Sequence, residues 1–185
     1  MTPRVPAQAI KLTAAVLIAW AGYEGLSLVP YVPVAGDVPT IGLGATHYED
    51  GTRVTMADPP ITRARADALA LDLLEKTYAP CVRRALGNTL VHLVEFERAV
   101  DFAGQFGCTA FANSSIVRHM RAGRYTEACQ SYISYRFMTD SRPRPGWVQY
   151  QPGRWRFDCA TPGNRVCRGV WTRQLERHQK CMGMQ

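Results

Sequence analysis

The chain contains no uncharged apolar run of 18 residues, which excludes an ordinary membrane-spanning helix. It has no CxxC pair, and His47, His92, His119 and His178 stand at no metal-site spacing from the cysteines, which argues against a structural zinc. Internal repeats and low-complexity tracts are also missing, so solenoids and linker-like chains are excluded. Acids are scarce: 15 Asp and Glu against 22 Lys and Arg leave a net charge of +7. That balance favours a polyanionic partner, whether nucleic acid, anionic lipid or an acidic wall polymer, without choosing among them. What remains is ordinary globular material, 46% apolar and 20% charged. Its 185 residues suffice for one domain or one domain with two lobes.

Six dispersed cysteines, at 81, 108, 129, 159, 167 and 181, suit up to three disulfides and an oxidising compartment. Cys159 and Cys167 bracket a stretch with Pro162, Gly163 and Asn164 that reads as a short stapled loop. The other pairings are open, since six cysteines allow fifteen.

Leu12–Tyr23 is apolar and follows Arg4 and Lys11, as in a weak export signal, yet its h-region is short and no cleavage site is clear. Leu12, Val16, Trp20 and Tyr23 fall near one helical face, which favours a buried first helix. Residues 28–60 change character: prolines and glycines separate short β-prone pieces, Leu28–Val34, Thr40–Leu43 and Arg53–Thr55. From Thr62, a candidate cap, Leu71, Leu74 and Tyr78 recur at helical spacing until Pro80. Further helices are expected around Leu93–Val100, over Ser114–Ala122 with Asn113 as cap, from near Thr126 to Arg136, and over Val170–Cys181. Residues 140–168 show no clear period. The reading is α+β, with a small antiparallel sheet near the front and helices elsewhere. Its expected parts are residues 1–61 (helix and sheet lobe), 62–85 (connecting helix) and 86–185 (helical lobe with a basic insertion near 140–168).

Candidate acid–base groups concentrate beside tight turns. Glu24 follows an apolar segment, where burial raises a carboxyl pKa, whereas Asp37 sits in a polar turn and would stay ionised. Two carboxyls in unlike settings are what glycosidic hydrolysis needs: one protonates the departing oxygen, the other activates water. Thr40 could orient that water, and Gly42 and Gly44 would let backbone approach a substrate.

Three ordered blocks carry a family resemblance. The front reads EGLSLVPY, then GDVPTIGLG; the middle reads Gly104-Gln105-Phe106-Gly107-Cys108, then Asn113-Ser114; the tail reads Arg168-Gly169-Val170-Trp171-Thr172-Arg173-Gln174-Leu175-Glu176-Arg177. In this order they resemble the phage-type lysozymes, or endolysins. The resemblance implies a small sheet-bearing lobe joined by a long helix to a helical lobe, with a glycan strand between them. It implies cleavage of the β-1,4 bond between N-acetylmuramic acid and N-acetylglucosamine, with no cofactor and no metal. By position, Glu24 matches the general acid, Thr40 the threonine opening Thr-Ile-Gly-x-Gly, and Gln105 a groove residue. Arg173 and Arg177 are expected at the substrate.

Two departures stand out. The family's aspartate offsets fall on Pro33 and Val34, so Asp37 is the nearest carboxylate, three residues before Thr40. Relatives often carry a histidine where this chain has Ala45, and His47 is near but not equivalent. If the family's inverting chemistry holds, Glu24 and Asp37 should stand roughly 6.5–9.5 Å apart. The resemblance further implies a monomer acting in the host periplasm at lysis, with Leu12–Tyr23 a transient inner-membrane tether as in signal-arrest-release members. The arginines between Arg142 and Arg177, interleaved with Trp147, Tyr150, Trp155 and Trp171, read as a wall-binding face; nucleic acid is not the expected partner. Two other readings stay open: a lytic transglycosylase, and an inactive binding module for wall or nucleic acid.

Overall fold

A computed structural model describes residues 3–17, 25–34 and 36–185. Glu24, Trp20, Tyr23 and the second half of the apolar segment fall outside the described residues. Its beginning falls inside: a helical turn at residues 15–17 buries Val16 and Leu17 in the main core.

The chain opens with β1 (Val5–Pro6), which pairs antiparallel with β4 (Leu90–Val91) far along the sequence. β2 (Ser27–Tyr31) and β3 (Thr40–Gly42) form an antiparallel hairpin with an irregular register between Ser27 and Tyr31. Of the expected third piece, Arg53–Thr55, only Arg53 pairs, through an isolated bridge to His47.

Thr62 caps the following helix as expected, its side chain accepting the Arg65 N–H at 3.1 Å. α1 (Arg63–Leu73) runs through a π-helical segment (Leu74–Tyr78) into α2 (Ala79–Leu86). Pro80 does not end the helix. It sits in the first turn of α2, where a missing N–H costs little, and the wider π turn lies directly before it. α3 (Leu93–Phe106) runs through the helical lobe, burying Phe96, Val100 and Phe102.

Around α3 pack α4 (Cys108–Ala112), α5 (Ser115–Arg121) and α6 (Tyr125–Ser131), the last continued by a 3-10 turn at Tyr132–Ser134. The cap of α5 is Ser114, which accepts the Val117 N–H, and not Asn113, whose amide donates back to the Thr109 carbonyl. α7 (Arg168–Met182) closes the lobe.

The stretch 140–168, read as aperiodic, holds two strands of a three-stranded antiparallel sheet begun just before it, in the order β5 (Phe137–Asp140), β7 (Arg154–Asp158), β6 (Val148–Gln151). Along β7 the arginines at 154 and 156 face solvent while Trp155 and Phe157 turn inward. A small separate core of Trp147, Phe157, Cys159 and Cys167 joins this sheet to the first turn of α7 through Val170 and Trp171.

All six cysteines are paired: Cys81–Cys108, Cys129–Cys181 and the expected short loop Cys159–Cys167. The first ties α2 to α4 and the second ties α6 to α7.

Candidate active site

The hairpin carries two of the expected site residues. In the β2–β3 loop the Asp37 N–H donates to the Val34 carbonyl at 2.9 Å, and Asp37 Oδ1 accepts the Val38 N–H at 2.9 Å. The Asp37 side chain is exposed, with one oxygen engaged by its own turn. Thr40 follows on β3 and is buried, its hydroxyl donating to the Val38 carbonyl at 3.1 Å. With its proton directed there, the Thr40 oxygen keeps lone pairs for an incoming donor such as water.

Beyond Thr40 the backbone reverses tightly. Ile41 and Ala45 exchange both N–H···O bonds, at 2.9 and 3.0 Å, across Gly42 and Gly44, which adopt φ values of +68° and +95°. Gly42 has a second constraint: a Cβ there would stand 3.2 Å from Ala66 Cβ on α1. This glycine lets the sheet close on the connecting helix, a packing role not read from the sequence. Ala45 is buried in the small cluster with Ile41, Val54 and Leu69, while His47 is exposed and bonded to the Thr46 hydroxyl. The hairpin also presents Leu26, Leu28, Val29, Val32, Val34 and Val38 to solvent. An exposed apolar cluster of this kind marks an interaction surface.

The helical-lobe residues meet elsewhere. Arg173 and Arg177, expected at the glycan, lie in the interior between α3 and α7, with Arg177 only 1% exposed. Arg173 Nη2 donates to Asp101 Oδ1 at 2.6 Å, and Arg177 Nε to Asp101 Oδ2 at 2.5 Å. Arg177 also reaches the Asp101 carbonyl at 2.9 Å and Gln105 Oε1 at 2.6 Å. Burial pushes the Asp101 carboxyl up, but the Arg177 and Arg173 guanidiniums outweigh it and hold it below the usual carboxylate range. Burial also lowers Arg177, a shift that Asp101 only partly offsets. Gln105, half-buried at the end of α3, is the member of this cluster nearest to solvent.

Asp101 was not foreseen as part of this cluster. Its spacing of four from Gln105, on one helical face, was the available signal. A further unforeseen set of contacts fixes the N-terminal segment. Thr13 donates to Glu97 through its N–H and its hydroxyl (3.1 and 2.6 Å), and Arg4 pairs with the fully buried Glu95 at 2.8 Å.

This architecture, a small hairpin lobe joined by a long helix to a disulfide-braced helical lobe, is that of the lysozyme-like fold. Among solved structures the chain is similar to a mutant of P22 lysozyme, with a TM-score of 0.68 at 16% identity over 94% of this chain and 99% of that one. It is also similar to the endolysin from Escherichia coli O157:H7 phage FAHEc1, with a TM-score of 0.67 at 22% identity over 96% of each chain. The muramidase domain of SpmX from Asticaccaulis excentricus follows the same fold, with a TM-score of 0.59 at 22% identity over 93% of this chain and 97% of that one. The family model for phage lysozyme matches residues 21–149, and the chain belongs to that family. It is thus a glycoside hydrolase of the lysozyme class, and its substrate is peptidoglycan. Comparison with curated protein sequences returned no match.

Proposed function

We propose that this chain is a phage endolysin that hydrolyses the β-1,4 bond between N-acetylmuramic acid and N-acetylglucosamine, with Glu24 as general acid. Glu24 protonates the glycosidic oxygen as its bond to the muramic anomeric carbon breaks. A water held by Thr40 attacks that carbon from the opposite face and gives its proton to Asp37. Gln105 contacts the glycan from the helical lobe, and Arg173 and Arg177 serve as positioning residues behind it.

One observation carries this reading: the family match is a single continuous segment, residues 21–149, that takes in Glu24, Asp37, Thr40 and Gln105. The acceptor-only state of the Thr40 oxygen and the exposed apolar hairpin support it. Analysis of the released fragments after borohydride reduction tests the reaction type. Reducing muramic ends are expected; 1,6-anhydro-muramic ends would replace hydrolysis by transglycosylation. The exposed position of Asp37, three residues before Thr40, is what favours that second reading, since an attack by the muramic hydroxyl needs one carboxyl only.

We place the enzyme in the host periplasm at lysis, acting as a monomer, with Leu12–Tyr23 as its transient membrane tether beforehand. Among the described residues no helix is long and apolar enough to cross a membrane. The bonds from Thr13 to Glu97 and the burial of Val16 and Leu17 belong to the released, folded form, so a tethered form must lack them. Cell fractionation should find the chain on the inner membrane before lysis; a purely cytosolic pool would reject the tether.

A further inference from the structure

Where the Cys159–Cys167 loop folds against the first turn of α7, a cavity of about 610 Å3 opens, lined in part by Thr161, Asn164, Arg165, Arg168 and Trp171. Its size lies within the roughly 300–1,000 Å3 of small-molecule sites. These residues follow the segment matched by the family, which ends at 149, and share no hydrogen-bonded sheet with the β2–β3 hairpin.

The cavity wall is held in place. Its disulfide closes the loop, and Asn164 Nδ2 donates to the carbonyls of Cys159 and Thr161, both at 2.8 Å. Asn164 Oδ1 accepts the Cys167 N–H at 3.1 Å, and the Thr161 hydroxyl donates to the Asp158 carbonyl at 2.7 Å. The carboxylate at the loop's entrance, Asp158, is taken by Arg136 at 3.1 Å and by the Ala160 N–H at 2.9 Å. Arg165 and Arg168 are exposed, and among the described residues neither forms an ion pair.

Two open guanidiniums on a rigid rim are suited to an oxyanion, a carboxylate or a phosphate, which they can bind through paired N–H donors. Trp171, half-buried beside them, offers an apolar ring surface of the kind that packs against sugar C–H groups. We propose that this cavity binds a saccharide unit bearing an oxyanion, with Arg165 and Arg168 on the anionic group and Trp171 against the ring. In the wall, such a unit is muramic acid, whose lactyl-peptide substituent ends in carboxylates; a phosphorylated glucosamine carries the same chemistry. The cavity would act as a second hold on the polymer, raising the local concentration of glycan at the cleft. This inference does not rest on the assignment of Glu24, since its test reads binding and not cleavage.

The test follows the Trp171 indole N–H and the amides of residues 159–168 by 15N NMR in the full chain, wild type and R165Q/R168Q. The probes are muramyl dipeptide, glucosamine 6-phosphate and neutral tri-N-acetylglucosamine. Saturable shifts with muramyl dipeptide, weakened about tenfold or more in the double variant, are expected. Shifts with glucosamine 6-phosphate alone would keep the site and assign it to phosphorylated saccharides. No response at Trp171 to any probe, or equal responses in the wild type and a double variant whose other amides are unmoved, would overturn the proposal.

Discussion

Gln105 Oε1 accepts two hydrogen bonds from α7, one from Arg177 Nη1 at 2.6 Å and one from Gln174 Nε2 at 3.2 Å. A carboxamide whose oxygen is held on one side presents its N–H2 group on the other, as a donor of fixed direction. Because Arg177 is itself held by Asp101, the orientation of Gln105 depends on a carboxylate one helical turn away that lies in the interior.

Two substitutions separate these roles. Asp101→Asn removes the buried carboxylate that Arg173 and Arg177 share, and chemical denaturation should show a loss of about 3–5 kcal/mol. Gln105→Ala removes a half-buried partner and should spare most of the stability while lowering wall hydrolysis by a factor of about 5 to 100, the equivalent of roughly 1–3 kcal/mol. Equal stability losses in the two variants would contradict the division.

The same cluster sets an acid limit. Asp101 has a folded-state pKa below its unfolded value, so its stabilisation is fully present above the unfolded value and disappears as pH falls through the folded one. Glu49, held down by its hydrogen bonds to Arg65, acts in the same direction from an exposed position. Melting temperature is therefore expected to fall steadily below about pH 4. In Asp101→Asn the fall should be shallower from a lower starting point.

Reduction should act unevenly on the three disulfides. Chain-entropy reasoning gives about 4 kcal/mol for the Cys129–Cys181 crosslink, with a sequence separation of 52, and about 2.5 kcal/mol for Cys159–Cys167, with a separation of 8. Paired Cys→Ala variants should thus lose roughly 8–16 °C and roughly 5–10 °C in Tm respectively, at about 2–4 °C per kcal/mol. The reverse order in calorimetry would show that strain or residual unfolded structure dominates.

Gly42 should tolerate no side chain. A Cβ added at φ +68° would be 3.2 Å from Ala66 Cβ, so the hairpin must shift away from α1. Gly42→Ala is expected to cost roughly 1–3 kcal/mol by overpacking alone. Gly44→Ala shares the backbone strain but meets nothing within 4 Å, so the larger loss in thermal unfolding should be at Gly42.

The helices were legible because their signals are local. Thr62 caps where a threonine before a helical pattern should, and the Leu71–Leu74–Tyr78 spacing survives Pro80 because one π turn absorbs it. The sheet at residues 137–158 was missed because the apolar residues of its central strand, Trp155 and Phe157, are set among arginines that dominate the composition. The Pro152-Gly153 turn and the alternation Arg154-Trp155-Arg156-Phe157 were the usable signal. Of the candidate site residues, Thr40 lies buried on β3 and Gln105 half-buried at the end of α3. The burial of Arg173 and Arg177 was not legible, because an arginine on an amphipathic helix reads as solvent-facing until its partner, here Asp101 some 72 residues earlier, is known.

In the proposed reaction a carboxylic acid at position 24 donates the proton that frees the glycan. Glu24→Gln keeps the size of the side chain and removes that proton. With purified peptidoglycan sacculi and matched amounts of folded protein, the initial rate of turbidity loss should fall by about 100-fold or more, the scale of general-acid catalysis. A variant that clears the sacculi at near wild-type rate would contradict the account.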